Sequence, residues 1–374
     1  MRDRRDQRRF TRVPRRAFLA AGVGVGTAGL LALTSPHPVR AAKGRSGDAD
    51  LLARAEPHLR GLNRVALAYI DGGATRFAGI GADERTPFGI GSVSKTFCGA
   101  VLMAMVATGE VSLDTTVGEL IDANQSQLDA VTLKELASHT SGLPDFTADQ
   151  TRSRNLWFGL LHADGSLQAP AETISDVLAQ RLDDRGTFSY STAGIALLAQ
   201  LLGQRAGTSY KDLLHQRILT PLSLTDTLMP ETLAGMPRGW DKGLLGGRPA
   251  EPWTLNGLAP AGGMWSTAAD LAAWIRLTRD GLQPGAAGLE PVAPAPIPPW
   301  MPEAQIAITW VRATTPAGNE LLFHNGLTGS HHAYVGYCPG TGRGLAYVVN
   351  SAPTGEQLLM LQGDLVGALL DEGA

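Results

Sequence analysis

The run from Phe97 to Val106 sets the problem this chain has to solve. The spacing predicts a helix from Ser92 to about Gly109, and its apolar residues surround the axis instead of lining one stripe. Such a helix is stable only where other elements enclose it, so the chain must build a core around it. Directly before it stands Gly89-Ile90-Gly91-Ser92-Val93-Ser94-Lys95. On a helix Ser92 and Lys95 would share a face, about one turn apart. A serine hydroxyl becomes a nucleophile when a base takes its proton, and a partly buried lysine can be that base. The helix start also leaves the Ser92 backbone N–H without an intrahelical partner, free to face an oxyanion. Taken alone, the pair also fits a helix N-cap serine with a surface lysine one turn later.

The surrounding sequence predicts what encloses that helix. Arg64 to Ile70 and Thr75 to Ile80 read as strands joined by a turn at Asp71-Gly72-Gly73. Thr132 to His139 reads as a short helix, opened by the capping-box pair Thr132 and Glu135. Amphipathic helices are expected over 172–183, 193–205 and 209–218, and one capped by Ser266-Thr267 runs to about Arg279. Gly281 to Pro299 is rich in Pro, Ala and Gly and reads as an irregular surface loop. Strand-like runs follow at 306–312, 320–324, 332–337 and 344–350, then a helical stripe from Glu356 to Leu370. Strands at both ends with helices between predict an α/β (α+β) fold: one sheet built from 60–91 and 300–372, with a mainly helical insert over about 92–255. Ser92 would lie in a cleft at that seam.

Charge separates a leader from the body. The first 41 residues hold nine Arg and two Asp, a charge of +7 against −3 for the whole chain, so the remainder carries −10. An acidic body without a basic stripe argues against nucleic-acid binding. Arg15-Arg16, a mild apolar run from Ala17 to Leu33, and small residues ending at Ala41 resemble a twin-arginine export signal over 1–41. An uncleaved anchor is the other reading, at the short limit for a membrane span. Export to a secreted, periplasmic or cell-wall location is expected, with the membrane met only through that signal.

Two later stations complete the chemistry. Tyr190-Ser191-Thr192 precedes a helix, and His324-Asn325-Gly326 closes a strand. A tyrosine near the lysine could share its proton-relay role. A glycine lets backbone lie flat against a substrate. Tyr190 alone also fits a half-buried aromatic, Thr192 an ordinary N-cap and His324 an edge-strand histidine. In that order, Ser92-x-x-Lys95, Tyr190-x-Thr192 and His324-x-Gly326 resemble the three motifs of the serine β-lactamase and penicillin-recognising DD-peptidase superfamily, nearest its branch of class C β-lactamases, DD-carboxypeptidases and esterases. Leu136 to Pro144, Thr220-Pro221-Leu222 and Pro260 to Thr267 are similar to that branch too, and the likeness spans about 50 to 370.

The resemblance implies an antiparallel sheet flanked by helices with a helical domain alongside. It implies Ser92 as the acylated nucleophile, Lys95 as its base and Tyr190 as assisting proton transfer to the leaving group. The N–H groups of Ser92 and Leu327 would form the oxyanion hole, and His324, Thr192 and Gly326 would bind substrate. The substrate would be a peptidoglycan stem peptide, a β-lactam or an ester, with a D-alanyl-D-alanine carboxypeptidase-like activity foremost. Two departures bear on it. Thr192 stands where the motif usually ends in Asn, and a hydroxyl has one donor where an amide has two. His324 stands where many carry Lys, and is mostly neutral at pH 7. A carboxylesterase on short acyl esters and a non-catalytic penicillin-binding or cell-wall sensor protein are the alternatives. No metal or other cofactor is expected, because no His, Asp or Glu cluster has ligand spacing; His331 and His332, adjacent in a strand, face opposite sides. His139 reads as structural, Cys98 and Cys338 as free buried thiols, and the chain as a monomer.

Overall fold

The computed structural model describes residues 39–371, apart from 124–125, 162–163, 165–167, 233–235, 242–247, 297–300, 302, 354–356 and 359. All but the last three residues of the expected leader lie outside the described residues.

The enclosed helix is α2, Ser94–Ala107, and every side chain from Ser94 to Met105 is buried. Phe97 stacks on Trp274 with ring centroids 4.2 Å apart, and the Trp274 indole N–H donates to Thr96 Oγ1 at 3.0 Å. The helix starts later than its spacing predicts. Ser92 belongs to a 3₁₀ turn, Gly91–Val93, that leads into α2.

What encloses α2 begins with a sheet. Strands β1 (Arg45–Gly47), β2 (Val65–Asp71) and β3 (Ala74–Ile80) come from the first part of the chain. Strands β8 (Ala293–Pro294), β9 (Gln305–Ile306), β10 (Val311–Thr314), β11 (Glu320–Leu327), β12 (His332–Cys338) and β13 (Arg343–Val349) come from the last. All nine pair antiparallel, in the order β1-β3-β2-β13-β12-β11-β10-β9-β8. The two parts meet where β2 pairs β13, Val65 opposite Val349 and Ile70 opposite Gly344. The fold class is thus as the sequence predicts, although β1 and β8 lie outside the expected sheet segments.

Both faces of the sheet are covered, which is why β2 reads as an unbroken apolar run. Successive strand residues point to opposite faces. Ala66, Ala68 and Ile70 join the core around α2 and α10 (Ala268–Arg279), whereas Val65, Leu67 and Tyr69 join a second core with α1 (Ala49–Ala55) and α11 (Val366–Leu370). Cys98 belongs to the first core and Cys338 to the second, and both thiols are free. His331 packs on Phe88 and Trp265, and His332 on Tyr347, so the two histidines face apart as expected.

Between the two parts lies the helical insert: α3 (Val117–Leu120), α4 (Leu133–Ala137), α5 (Ala148–Leu161), α6 (Pro170–Leu178), α7 (Thr192–Arg205), α8 (Tyr210–Leu214) and α9 (Ala259–Gly262). Short pairs β4 (Phe88–Gly89) with β7 (Trp265–Ser266), and β5 (Gly239–Asp241) with β6 (Arg248–Ala250), complete it. The capping box of α4 forms as its sequence predicts, Thr132 N–H to Glu135 Oε2 at 2.8 Å. The stretch from Gly281, of which 297–299 lie outside the described residues, departs from its surface-loop reading at one point. It forms a 3₁₀ turn, Pro284–Gly288, whose Gly285 and Gly288 are buried against Ala100 and Met103 of α2. A Cβ on Gly288 would stand 2.8 Å from Ile308, so these glycines mark close packing rather than exposure. Among the described residues no helix is long and apolar enough to cross a membrane.

Candidate active site

Two glycines shape the turn that holds Ser92. Gly91 has φ +51°, a backbone conformation that side-chain-bearing residues rarely adopt, and a Cβ there would stand 2.6 Å from the Leu327 nitrogen. Gly326 on β11 faces it: a Cβ there would stand 1.9 Å from the Ile90 carbonyl oxygen and 2.7 Å from the Ser92 nitrogen. The strand end and the turn that holds Ser92 therefore touch backbone to backbone, with the amides of Ser92 and Leu327 on either side of the contact. Ser94, one residue further, ties the turn to the neighbouring wall. Its hydroxyl donates to the Gly91 carbonyl at 2.6 Å and accepts from the Met264 N–H at 3.2 Å.

Lys95 lies in the first turn of α2 with no solvent exposure. Its Nζ donates to Ser92 Oγ at 3.1 Å, to Thr192 Oγ1 at 3.4 Å and to the Ala261 carbonyl at 2.7 Å. Burial pushes its pKa down from 10.5 to about 8, against a smaller opposing pull from Asp145 and Cys98. Close to neutral pH, a fraction of Lys95 is thus the free amine. The Tyr190 ring lies 4.9 Å from Nζ. Burial pushes the Tyr190 phenol above its ordinary value of 10.0, and hydrogen bonding with Ser92 partly opposes the rise.

His139 places Tyr190. Its carbonyl accepts from the Ser189 N–H at 2.7 Å, its Nδ1 accepts from the Ser191 N–H at 3.1 Å, and its ring packs at 4.4 Å on Tyr190. The structural reading of His139 holds, with the segment 189–191 as its partner. Burial, then the neighbouring Lys95 and His324, pushes its pKa well below 6.5. The N-cap of α7 is Ser191, whose Oγ accepts from the Gly194 N–H at 2.9 Å, so the N-cap reading of Thr192 is corrected. Thr192 opens the helix instead, with its N–H on Asp145 Oδ1 at 3.1 Å and its hydroxyl turned to Lys95. His324 is buried, Nδ1 lying 2.7 Å from the Asn325 carbonyl oxygen. Burial and then Lys95 push its pKa down to about 3, so it is neutral throughout the physiological range.

Ser92, Lys95, Tyr190, Thr192, Gly326 and Leu327 are thus brought together, with His324 buried on the same strand as the last two. Motif spacing missed the Ala261 carbonyl, Asp145 and a cleft wall on α5. The first two fall inside or beside stretches already similar to the superfamily, and that was their only signal. Among the described residues no three His, Cys, Asp or Glu side chains stand close enough to hold a metal. A roomier cavity of about 460 Å³ lies elsewhere, between Gln204, Tyr210, Lys211 and Glu231.

The Beta-lactamase family model matches residues 51–365. The chain belongs to the Beta-lactamase family. It is 28% identical over 350 residues to Penicillin-binding protein 4 of Amycolatopsis lactamdurans, covering 84% of this chain and 87% of that one. Its fold is similar to that of an octameric penicillin-binding protein homologue from Pyrococcus abyssi, with TM-score 0.71 at 22% identity over 86% of this chain and 78% of that one. It is similar also to a D-stereospecific amidohydrolase from Streptomyces sp., with TM-score 0.72 at 20% identity over 86% and 99%. Beta-lactamase family membership places the chain among the serine hydrolases of the penicillin-recognising superfamily.

Proposed function

We propose that this member of the Beta-lactamase family is an exported serine hydrolase that forms an acyl-enzyme at Ser92 and acts as a D-alanyl-D-alanine carboxypeptidase-like or β-lactamase-related enzyme. The observation that carries the reading is the 3.1 Å bond between Lys95 Nζ and Ser92 Oγ, with burial holding the amine near neutrality. The neutral amine takes the hydroxyl proton as Oγ attacks the substrate carbonyl. The N–H groups of Ser92 and Leu327 receive the oxyanion. The Tyr190 phenol, beside both Ser92 and Lys95, hands a proton to the leaving group and is reprotonated through Lys95. Water then attacks the ester, and the same groups return Oγ its proton. The basic leader ending near Ala41 supports export.

A second reading, a carboxylesterase on short acyl esters, is favoured by Thr192. Its single hydroxyl is engaged by Lys95, so it offers a substrate amide less than an asparagine would. Neutral His324 points the same way, since it supplies no charge for a substrate carboxylate.

An intact-mass time course with a β-lactam and a fluorophosphonate tests the nucleophile. A covalent adduct on the wild type that Ser92→Ala lacks is expected, and an adduct persisting on Ser92→Ala would overturn the assignment. Turnover of D-Ala-D-Ala peptides, nitrocefin and 4-nitrophenyl esters then separates the activities. An adduct that lasts for hours without product would mark a sensor rather than an enzyme.

A further inference from the structure

One wall of the Ser92 cleft takes no part in the hydrolytic steps. Gln150 and Arg154 stand one turn apart on α5, and both line the cleft with Ser92, Thr192 and Leu327. Gln150 is only 1% exposed. Its Oε1 accepts from the Thr147 N–H at 3.0 Å, which fixes the amide's orientation and leaves Nε2 buried without a partner. An unmet buried donor is costly, and a ligand acceptor would relieve that cost. Arg154 lies with its guanidinium over the Phe146 ring, 4.5 Å from the centroid. Among the described residues it makes no ion pair with a carboxylate. A ring contact uses the face of the guanidinium and leaves its in-plane N–H fork for an anion. The enclosed space is small, about 40 Å³, so whatever reaches this wall is short. On the β11 side His324 is buried, and burial lowers its pKa to about 3, so that strand offers no charge at the cleft.

We propose that Arg154 and Gln150 form a subsite for a short, carboxylate-bearing arm of the substrate. The guanidinium pairs with the carboxylate, and the Gln150 amide donates to the same group. The proposal rests on the reading of Ser92 as nucleophile, because it places the anion within one short arm of the scissile bond.

Matched ester pairs test it. 4-Nitrophenyl hydrogen succinate against its methyl diester puts the charge on the acyl arm. 4-Acetoxybenzoate against its methyl ester puts it on the leaving group. After subtraction of spontaneous hydrolysis, kcat/KM for the anion should exceed that for the neutral partner by about tenfold or more in one pair, as expected for a charge-assisted bond. The difference should lie in KM and shrink with salt. Arg154→Met should bring the ratio close to one, and Arg154→Lys should keep part of it. A ratio near one for both pairs in the wild type, or one that Arg154→Met leaves unchanged, would overturn the proposal. Binding separates this outcome from failure of the hydrolytic reading. With Ser92→Ala in place, calorimetry should show succinate bound more tightly than succinamide, with the preference lost on adding Arg154→Met. That result supports the subsite even if fluorophosphonate never labels Ser92, and equal binding of the two ligands overturns it even if Ser92 is labelled.

Discussion

Lys95 is held in two competing ways. Its Nζ donates to three oxygens, and complete burial lowers its pKa to about 8 against a smaller opposing pull from Asp145 and Cys98. With a pKa of about 8 and the free amine as base, kcat/KM should rise about tenfold per pH unit below 8 and level off above it. Titration of His139 and His324 lies well below, so a pH profile should show no inflection near 6.5. The same depression is a stability statement. The folded chain binds fewer protons than the unfolded chain between pH 8 and 10.5, so this contribution is full above 10.5 and lost as pH falls through 8. Wild type should therefore gain about 3 kcal/mol over Lys95→Met across that window, read from denaturant unfolding. Thr192→Asn should raise peptide or β-lactam turnover relative to ester turnover, checked as a ratio of kcat/KM values. At this scale the sequence was legible where residues are brought together by type and order, as Ser92, Lys95 and Tyr190 are. It was silent where a backbone atom acts, as the Ala261 carbonyl does, because any residue supplies one.

Among the elements, the junction of β11 with the Gly91–Val93 turn decides the geometry of the site. Gly326→Ala would press a methyl group onto the Ile90 carbonyl and the Ser92 nitrogen, both backbone atoms with little room to move. The turn and strand must part, so kcat/KM should drop by about 100-fold or more, as for loss of an oxyanion donor. Thermal unfolding should show a further destabilisation of about 1–3 kcal/mol from overpacking. Element type was readable from an apolar run bounded by a turn, as in β2, or from a helical period, as in α10. It failed for α5, whose first half from Ala148 to Asn155 is almost wholly polar and shows no apolar period. It failed again at 284–288, where composition typical of loops serves close packing on α2.

For the whole molecule, the decisive fact is that β2 finds β13 across about three quarters of the chain, Val65 opposite Val349. Non-local pairing of this kind makes folding slow, on the order of seconds for a sheet-rich chain, and all-or-none in its dependence on the last strands. A chain cut after Ala304 keeps α2 and the whole helical insert but loses β9 to β13. It should show no cooperative thermal transition by circular dichroism, whereas the intact chain should show one. The overall plan was legible because strands at both ends leave few ways to bury an all-round apolar helix. The register was not, since it depends on which backbones can touch. That contact carries a consequence for how such a chain can change over generations. Adding or deleting one residue between Glu320 and Gly326 would set Asn325 or Leu327 against Ile90, where neither side chain fits. Length variation is therefore open to the turn at 315–319, before the strand, and closed within the strand itself.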